Sequence, residues 1–406
     1  MAVGSFSREF NVVPGVRLSA CGCGIKGNTE NQDVADLVLF EFVDTTITVG
    51  IFTKSLFAAA PVEVGKRHLN VTNPTRFLVN SGNANAGVGE AGIGDALVCC
   101  KAVSQVSGIP PEAVIPFSTG VIGERLPVEK ITDALGELTK GLAEENWLEA
   151  AHGIMTTDTE PKIATRQRTI NGEVVTVTGI AKGSGMIQPN MATMLSYIAS
   201  DVTATKATLK ACLLAAGDRS FNRITVDSDT STNDSCMLSA TGVSSVDIDV
   251  DEKAHEQFVQ MLNEVCLELA QGIIRDGEGA TKFVAVEVGS SESRSDSLNI
   301  AYAIANSPLM KTALFASDAN WGRLVMAIGK APVDIDVNKL DIFLGDVQLM
   351  KKGQKAQDYT EKAGSDVMAE EEILIRVELN AGSIRETVWT SDLSHEYVRI
   401  NAEYRT

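Results

Sequence analysis

The sequence predicts a layered fold of the α/β (α+β) class, in which helices cover the outer faces of sheets. Short stretches rich in β-branched and apolar residues alternate with longer stretches that carry apolar residues at helical spacing. Strands and helices mixed in this way favour sheet cores faced by helices. At 406 residues the chain exceeds the size at which one hydrophobic core usually suffices, so we expect two lobes.

The individual elements follow from residue periodicity and from the turn residues that bound each run. Strands are predicted at residues 46–52, 76–79, 173–180, 236–240, 282–288, 340–348 and 372–379, with two more in 383–400 around residues 392–394. Helices are predicted at residues 91–106, 127–142, 204–216 and 251–274. Two hydrophilic stretches, 290–297 and 351–364, are predicted to be surface loops.

Charge and cysteine content narrow the class of protein. The 35 basic and 53 acidic residues give a net charge of −18, which disfavours nucleic acid and anionic membranes as partners. The seven cysteines lie mostly in apolar stretches, and the pair Cys21 and Cys23 lacks a matching second pair, so we expect reduced thiols and no metal site. The N-terminus resembles no secretory signal and no apolar run spans a membrane, which predicts a cytoplasmic protein.

The most informative segment is 182–193, KGSGMIQPNMAT, which follows a predicted strand and delivers Thr193 directly after Ala192. The chain has only four histidines, none in a catalytic or metal-binding motif, so a histidine-activated nucleophile is disfavoured. A threonine that becomes a chain N-terminus uses its own α-amine as the base. The segment therefore suggests self-cleavage between Ala192 and Thr193, with Lys182 and Asn190 beside the reacting bond. The alternative is a glycine-containing turn that leads into a buried strand or helix at 194–198.

A second motif, residues 117–123 (FSTGVIG), follows an apolar run and is predicted to form a turn. Consecutive backbone N–H groups and a hydroxyl in such a turn can form an oxyanion hole. A plain structural turn is the alternative. Residues 79–86 contain three asparagines, whose amides either orient a substrate or brace this loop; asparagine also tolerates left-handed turns, so a structural role stays open.

Four polar motifs complete the set. Residues 155–159 (MTTDT), near Lys162, and residues 227–234 (DSDTSTND) suit either loops close to a site or solvated turns. The second lacks the loop length and terminal glutamate of a calcium site, so no metal is expected there. In residues 276–282, Glu278 is placed either to hold a substrate ammonium group or only within a helix C-cap. Residues 318–323 open a helix with capping residues.

Together these motifs resemble the ornithine acetyltransferase family of arginine biosynthesis over essentially the whole chain. The segments that carry the resemblance are residues 80–86, 118–123, 156–159, 182–187, 189–195, 221–227, 318–323 and 401–406. Two positions depart from the family pattern: Glu160 replaces an apolar residue and Ser228 replaces a glycine. Neither coincides with the nucleophile or the oxyanion positions.

The resemblance implies a self-cleaved precursor with an α chain (1–192) and a β chain (193–406), an αββα sandwich like that of N-terminal-nucleophile (Ntn) hydrolases but with different connectivity, and an α2β2 assembly. It implies that Thr193 carries an acetyl group from N-acetylornithine to glutamate in a ping-pong cycle without a cofactor. Thr119 and Gly120 match the family's oxyanion pair. The matching substrate-binding positions are Thr156, Lys182, Thr193, Glu278, Asn401 and Thr406.

Three questions stay open at the level of sequence. An N-terminal-nucleophile aminopeptidase or amidase would share Thr193 and the cleavage but pass the acyl group to water. A binding protein without catalysis would use the turn at Thr193 only structurally. The sequence also leaves open whether acetyl-CoA serves as a second acetyl donor, although it has no phosphate-binding loop.

Overall fold

The computed structural model describes residues 2–26, 34–188 and 194–403. The predicted cleavage residues Ala192 and Thr193, together with Asn190 and Thr406, lie outside the described residues. Everything below concerns the described ranges.

Strands and helices alternate along the chain. In chain order the strands are β1 Val16–Cys21, β2 Leu37–Phe42, β3 Ile47–Phe52, β4 Arg76–Asn83, β5 Val114–Val121, β6 Lys162–Ile170, β7 Glu173–Lys182, β8 Leu195–Ser200, β9 Ile224–Thr225, β10 Ser235–Ala240, β11 Phe283–Ser291, β12 Asp341–Leu344, β13 Val347–Lys351, β14 Gln354–Lys355, β15 Glu372–Glu378 and β16 Ile384–Ser391. The helices are α1 Ala60–Val71, α2 Glu90–Ser107, α3 Val128–Lys140, α4 Trp147–Gly153, α5 Lys206–Arg219, α6 Glu252–Arg275, α7 Arg294–Ala305, α8 Pro308–Phe315, α9 Trp321–Gly329, α10 Glu361–Ala369 and α11 His395–Ala402.

Two sheets stacked face to face form the larger lobe. The first has strand order β1-β2-β4-β5 and the second β3-β10-β8-β7-β6. Aromatic side chains fill the space between them: Tyr197 of the second sheet lies 5.0 Å from both Phe40 and Phe117 of the first, measured between ring centroids. Helices α2 and α3 cover the outer face of the first sheet, and α5 and α6 that of the second. The predicted αββα sandwich is confirmed.

A third sheet, of order β14-β13-β12-β15-β11-β16-β9, forms the second lobe with helices α7 to α10. Its core includes Val286, Ile300 and Ile375, all essentially inaccessible to water. Strand β9 reaches this sheet from the larger lobe and pairs in parallel with β16 through Trp389 and Ile224. The two expected lobes are therefore joined through β9, which is the edge strand of the third sheet and also contributes Ile224 to the core of the larger lobe.

The predicted long helices and most strands agree with the structure, but two serine-rich or polar stretches were misjudged. Residues 290–297 are not a loop: Ser293 caps α7, its hydroxyl accepting a hydrogen bond from the backbone N–H of Asp296 at 3.3 Å. The second predicted strand of 383–400 is helix α11, capped by Ser394. In both places a serine side chain satisfies a free N–H group of the first helical turn, and this favours a helix over a loop or strand.

Two further predictions need correction. Residues 340–348 are not one strand, because Gly345, with φ of +55°, turns the chain between β12 and β13. The predicted loop 351–364 contains the short strand β14 and the start of α10.

Within the described ranges, no helix combines the length and the apolar character needed to cross a membrane. The seven cysteines carry free thiols, and burial raises the pKa of Cys99 to about 12.

Candidate active site

A cavity of about 290 Å³ opens where strands of both stacked sheets end. It is lined by six of the residues that the sequence singled out: Thr119, Gly120, Thr156, Lys182, Glu278 and Asn401. These residues come from β5, from the segment after α4, from β7, from the segment after α6, and from α11. Met194 and Leu195, which directly follow Thr193 in the chain, also line this cavity. The structure thus brings together every predicted site residue that it describes.

Thr119 and Gly120 lie at the end of strand β5 rather than in the predicted turn. Gly120 has φ of +131°, and a Cβ atom there would lie 2.2 Å from the carbonyl carbon of Gly82 in β4. Only glycine fits, because the neighbouring strand occupies the space that a side chain needs. The pairing of β4 with β5 shifts register between Gly82 and Asn83. The irregular strand ends therefore shape this wall of the cavity.

Three asparagines, Asn80 and Asn83 within the end of β4 and Asn85 just after it, brace this wall. Ser118 donates a hydrogen bond to Oδ1 of Asn80 at 2.6 Å, and Nδ2 of Asn80 donates to the carbonyl oxygen of Asn83 at 2.8 Å. Nδ2 of Asn85 donates to the carbonyl oxygen of Gly92 at 3.0 Å. The side-chain N–H groups of Asn80 and Asn85 are thus used within the protein. Of the roles that the sequence left open, the geometry favours bracing over substrate contact.

Lys182 connects the two sides of the cavity. Its ammonium group donates a hydrogen bond to the hydroxyl oxygen of Thr119 at 2.9 Å. Removal from water lowers the pKa of Lys182 below its ordinary value, and the positive charge of Lys162 lowers it further. The carboxylates of Asp158, Asp234 and Glu278 oppose this effect. Lys182 is therefore a cation surrounded by acids, suited to bind a substrate carboxylate.

Glu278 faces the cavity and is only 6% exposed. Its Oε2 accepts a hydrogen bond from Nδ2 of Asn401 at 2.7 Å. A Cβ atom at Gly185 would lie 2.4 Å from the same oxygen, so the missing side chain of Gly185 makes room for the carboxylate. Helix α11 carries Asn401 to this position. The carboxylate is placed to receive a substrate ammonium group.

The acidic motif 227–234 supports the wall of the cavity. The carboxylate of Asp227 accepts hydrogen bonds from the backbone N–H groups of Met186 at 2.7 Å and Ile187 at 2.8 Å. Ser228 has φ of +68°, the left-handed region that favours glycine, which agrees with the family pattern at this position. Among the residues that the structure describes, no group of three or more His, Cys, Asp or Glu side chains is placed to bind a metal.

Asp234, the last residue of the polar motif 227–234, also lines the cavity, although the sequence assigned it no individual role. It is 2% exposed, and its Oδ2 atom has no hydrogen-bond partner within the described ranges. Burial raises the pKa of this carboxyl well above its ordinary value. Its neighbour Asn233 donates hydrogen bonds to the carbonyl oxygens of Ala84 at 2.6 Å and Ser118 at 2.8 Å. Of the two alternatives that the sequence left open for this motif, the geometry favours a loop close to the site over a solvated turn.

Residues 318–323 lie away from the cavity and open α9, as predicted. Oδ1 of Asn320 accepts a hydrogen bond from the backbone N–H of Arg323 at 3.3 Å. This motif has a structural role as a helix cap.

Comparison with known proteins shows which family the chain belongs to. The arginine biosynthesis bifunctional protein ArgJ of Pseudomonas syringae pv. tomato is 51% identical over 398 residues, covering 97% of each chain. The protein of the same name from Psychrobacter arcticus is 46% identical over 412 residues, covering 100% of each chain. A crystal structure of the Bacillus halodurans arginine biosynthesis bifunctional protein is 34% identical, covers 50% of this chain and 96% of that chain, and has a TM-score of 0.48. The sequence model of the ArgJ family matches residues 17–406, which is nearly the whole chain. The protein therefore belongs to the ArgJ family.

Proposed function

We propose that this protein moves the acetyl group of N2-acetyl-L-ornithine to L-glutamate, giving ornithine and N-acetylglutamate for arginine biosynthesis. Membership of the ArgJ family over residues 17–406 carries the proposal. Its relatives from Pseudomonas syringae and Psychrobacter arcticus are named arginine biosynthesis bifunctional proteins. The protein is thus an acyltransferase whose donor and acceptor are both α-amino acids.

The chemistry of the cavity supports one site for both half-reactions. Each substrate carries a carboxylate for Lys182, and ornithine also carries a side-chain ammonium group for Glu278. Both protein groups line the same cavity of about 290 Å³, a volume suited to a small amino acid. Because donor and acceptor share the α-carboxylate, Lys182 can bind both in turn, whereas Glu278 faces the side-chain ammonium group of the ornithine compounds only.

In the proposed mechanism Thr193 is the nucleophile and its α-amine is the base. The hydroxyl oxygen attacks the acetyl carbonyl carbon while the α-amine takes the hydroxyl proton. The C–N bond then breaks, and this proton passes to the departing amine, which leaves as ornithine. The neutral α-amine of glutamate then attacks the carbonyl carbon of the acetyl ester, and the C–O bond to Thr193 breaks. The proton that the attacking nitrogen loses passes through the α-amine of Thr193 to the threonine oxygen. Thr119 and Gly120 stabilise the negative oxygen in both steps.

The α-amine becomes available when the chain cuts itself between Ala192 and Thr193. The cut lies between β7 and β8, which are neighbours in one sheet, Lys182 pairing with Leu195. Strand β8 also pairs with β10, in the register Leu195 to Ser235. The α chain (1–192) and the β chain (193–406) therefore stay together, and we propose an α2β2 assembly and a cytoplasmic location. Asn401 and Thr406 complete the substrate positions from the C-terminal end.

A second activity is favoured by the word "bifunctional" in the names of the relatives. We propose acetyl-CoA as an alternative donor that acetylates Thr193 directly. Release of free thiol from acetyl-CoA in the presence of glutamate would measure it. The absence of thiol release would limit the protein to transfer from acetylornithine.

The main test is incubation of the purified protein with N-acetylornithine, with and without glutamate. We expect N-acetylglutamate to form in step with ornithine. Acetate release at the same rate without glutamate would instead identify an amidase. Denaturing electrophoresis should show two fragments, and the second should begin Thr-Met-Leu-Ser-Tyr; Thr193→Ala should remain one band of 43.2 kDa without activity. An active, uncut Thr193→Ala would contradict the mechanism.

A further inference from the structure

Beside the cavity lies a buried cluster of three charged side chains, Asp158, Lys162 and Asp276, here called the buried triad. The ammonium group of Lys162 lies 2.5 Å from Oδ1 of Asp158 and 2.6 Å from Oδ2 of Asp276. The three residues are 8%, 2% and 2% exposed. The triad carries two negative charges and one positive charge almost out of reach of water.

Asp158 holds the cavity wall on one side of the triad. Its carboxylate accepts hydrogen bonds from the backbone N–H of Thr156 at 2.9 Å and from that of Gly183 at 2.7 Å. Thr156 lines the cavity, and Gly183 directly follows Lys182. One carboxylate thus fixes the main chain at two of the proposed substrate positions.

Asp276 holds the opposite side. Its carboxylate accepts hydrogen bonds from the backbone N–H groups of Thr159 at 2.9 Å and Glu160 at 3.2 Å. Its carbonyl oxygen accepts a hydrogen bond from the hydroxyl of Ser184 at 2.6 Å, and the carbonyl oxygen of Ser184 accepts one from the N–H of Glu278 at 2.9 Å. The segment that carries Glu278 is therefore linked through Ser184 to the segment that carries Lys182.

Stability alone does not account for this arrangement. Buried ion pairs seldom stabilise a fold more than apolar residues of the same volume, because their desolvation offsets their attraction. Burial opposes the charge on Lys162, but Asp158 and Asp276 outweigh it and hold the pKa of Lys162 above its ordinary value. The lysine therefore stays charged between two acids, each of which fixes main chain next to the cavity.

We propose that Lys162 is a positioning residue for substrate binding: through Asp158 and Asp276 it sets the distance between the Lys182 side and the Glu278 side of the cavity. This inference rests on the proposed function of those two residues as carboxylate and ammonium clamps. Lys162 itself does not line the cavity and acts only through its two partners. A displacement of about 1 Å at such clamps is enough to lower kcat/KM about a hundredfold.

The test compares Lys162→Met with Lys282→Met in the processed protein. Lys282 is likewise buried, at 7% exposure, but its ammonium group donates to the carbonyl oxygens of Ala369 at 3.0 Å and Glu370 at 2.8 Å, in the second lobe. Both variants lose a buried ammonium group, so both are expected to lower the thermal midpoint. Three readouts are compared: ornithine binding by calorimetry, kcat/KM for each substrate, and extent of self-cleavage by electrophoresis.

We expect Lys162→Met to raise the Kd of ornithine and the KM of both substrates by about tenfold or more, with a much smaller change in kcat. Lys282→Met should bind and turn over substrate as the wild type does, and Lys162→Arg, which keeps the charge, should recover part of the affinity. Wild-type binding by a folded Lys162→Met, or an equal loss in Lys282→Met, would overturn the inference. Failure of the proposed function would be distinct, because the wild type itself would then bind no ornithine and transfer no acetyl group.

Discussion

Replacing Gly185 with alanine tests the geometry of the ammonium clamp most directly. The new Cβ atom would lie 2.4 Å from Oε2 and 2.5 Å from Cδ of Glu278. Contacts this short do not occur, so the carboxylate must retreat by about 1 Å to reach ordinary van der Waals distance. The hydrogen bond from Asn401 to the same oxygen, now 2.7 Å long, would then be lost.

The expected loss of affinity for ornithine is the free energy of the contact between the Glu278 carboxylate and the ammonium group of ornithine. A hydrogen bond to a charged group contributes about 1.5–3 kcal/mol, which corresponds to roughly a 10- to 150-fold rise in Kd. Folding should change little, because only the end of a flexible side chain has to move. Gly136→Ala is the matched control, since a Cβ atom there meets nothing within 4 Å.

The assay is calorimetric titration of the processed protein with ornithine. Replacing Glu278 with alanine should weaken binding strongly in the wild type and only slightly in the Gly185→Ala background, because the same contact is already broken. Wild-type affinity in Gly185→Ala, or full additivity of the two substitutions, would refute this account of the clamp.

Three other predictions concern the remaining walls of the cavity. Substrate binding should weaken as pH rises and Lys182 loses its proton, and because burial lowers the pKa of Lys182 this should happen at a lower pH than for an ordinary lysine. In Lys182→Arg the dependence of Kd on pH should disappear, and its persistence would exclude Lys182 as the titrating group. Gly120→Ala should reduce the rate of ornithine release by about a hundredfold or more, because its Cβ atom would meet the carbonyl carbon of Gly82 at 2.2 Å. Gly123 has φ of +91° but open space around it, so Gly123→Ala should reduce this rate less, and equal effects would show that backbone strain alone is responsible. Burial raises the folded-state pKa of Asp234, so the folded state keeps this proton to a higher pH than the unfolded state does, and the free energy of unfolding decreases as pH rises above about 4. Urea unfolding of the uncut Thr193→Ala protein should show a smaller decrease with pH when Asp234→Asn is added, and an unchanged slope would contradict this account.

The fold could be predicted where local patterns and tertiary packing agree. Helix α6 was placed to within a residue at each end, because Asp251 caps it and its apolar face is continuous. Helix α11 was taken for a strand because residues 395–402 have no fully buried face, and only the cap at Ser394 marks its start. Capping is a short-range signal that composition tends to conceal.

The site shows a similar division. Motif resemblance named Thr119, Lys182 and Glu278, and the structure gathers them around one cavity although they are far apart in sequence. The sequence named the polar motifs that contain or adjoin Asp158, Lys162, Asp234 and Asp276, but it did not predict that the first, second and fourth of these side chains form a buried triad. It also did not predict the burial of Asp234, because burial and a lack of partners are properties of the folded chain. Charge patterns alone do not distinguish a solvated acid from an enclosed one.

The position of β8 between β7 and β10 has a consequence for how the protein refolds after denaturation. Before the proposed cut, an unfolded molecule holds all strands of this sheet on one chain, and refolding is unimolecular. After it, β7 belongs to one chain and β8 to another, so recovery from denaturation requires two chains to meet and depends on their concentration. We therefore expect the precursor form Thr193→Ala to refold independently of dilution, and the mature protein to recover more poorly the more it is diluted.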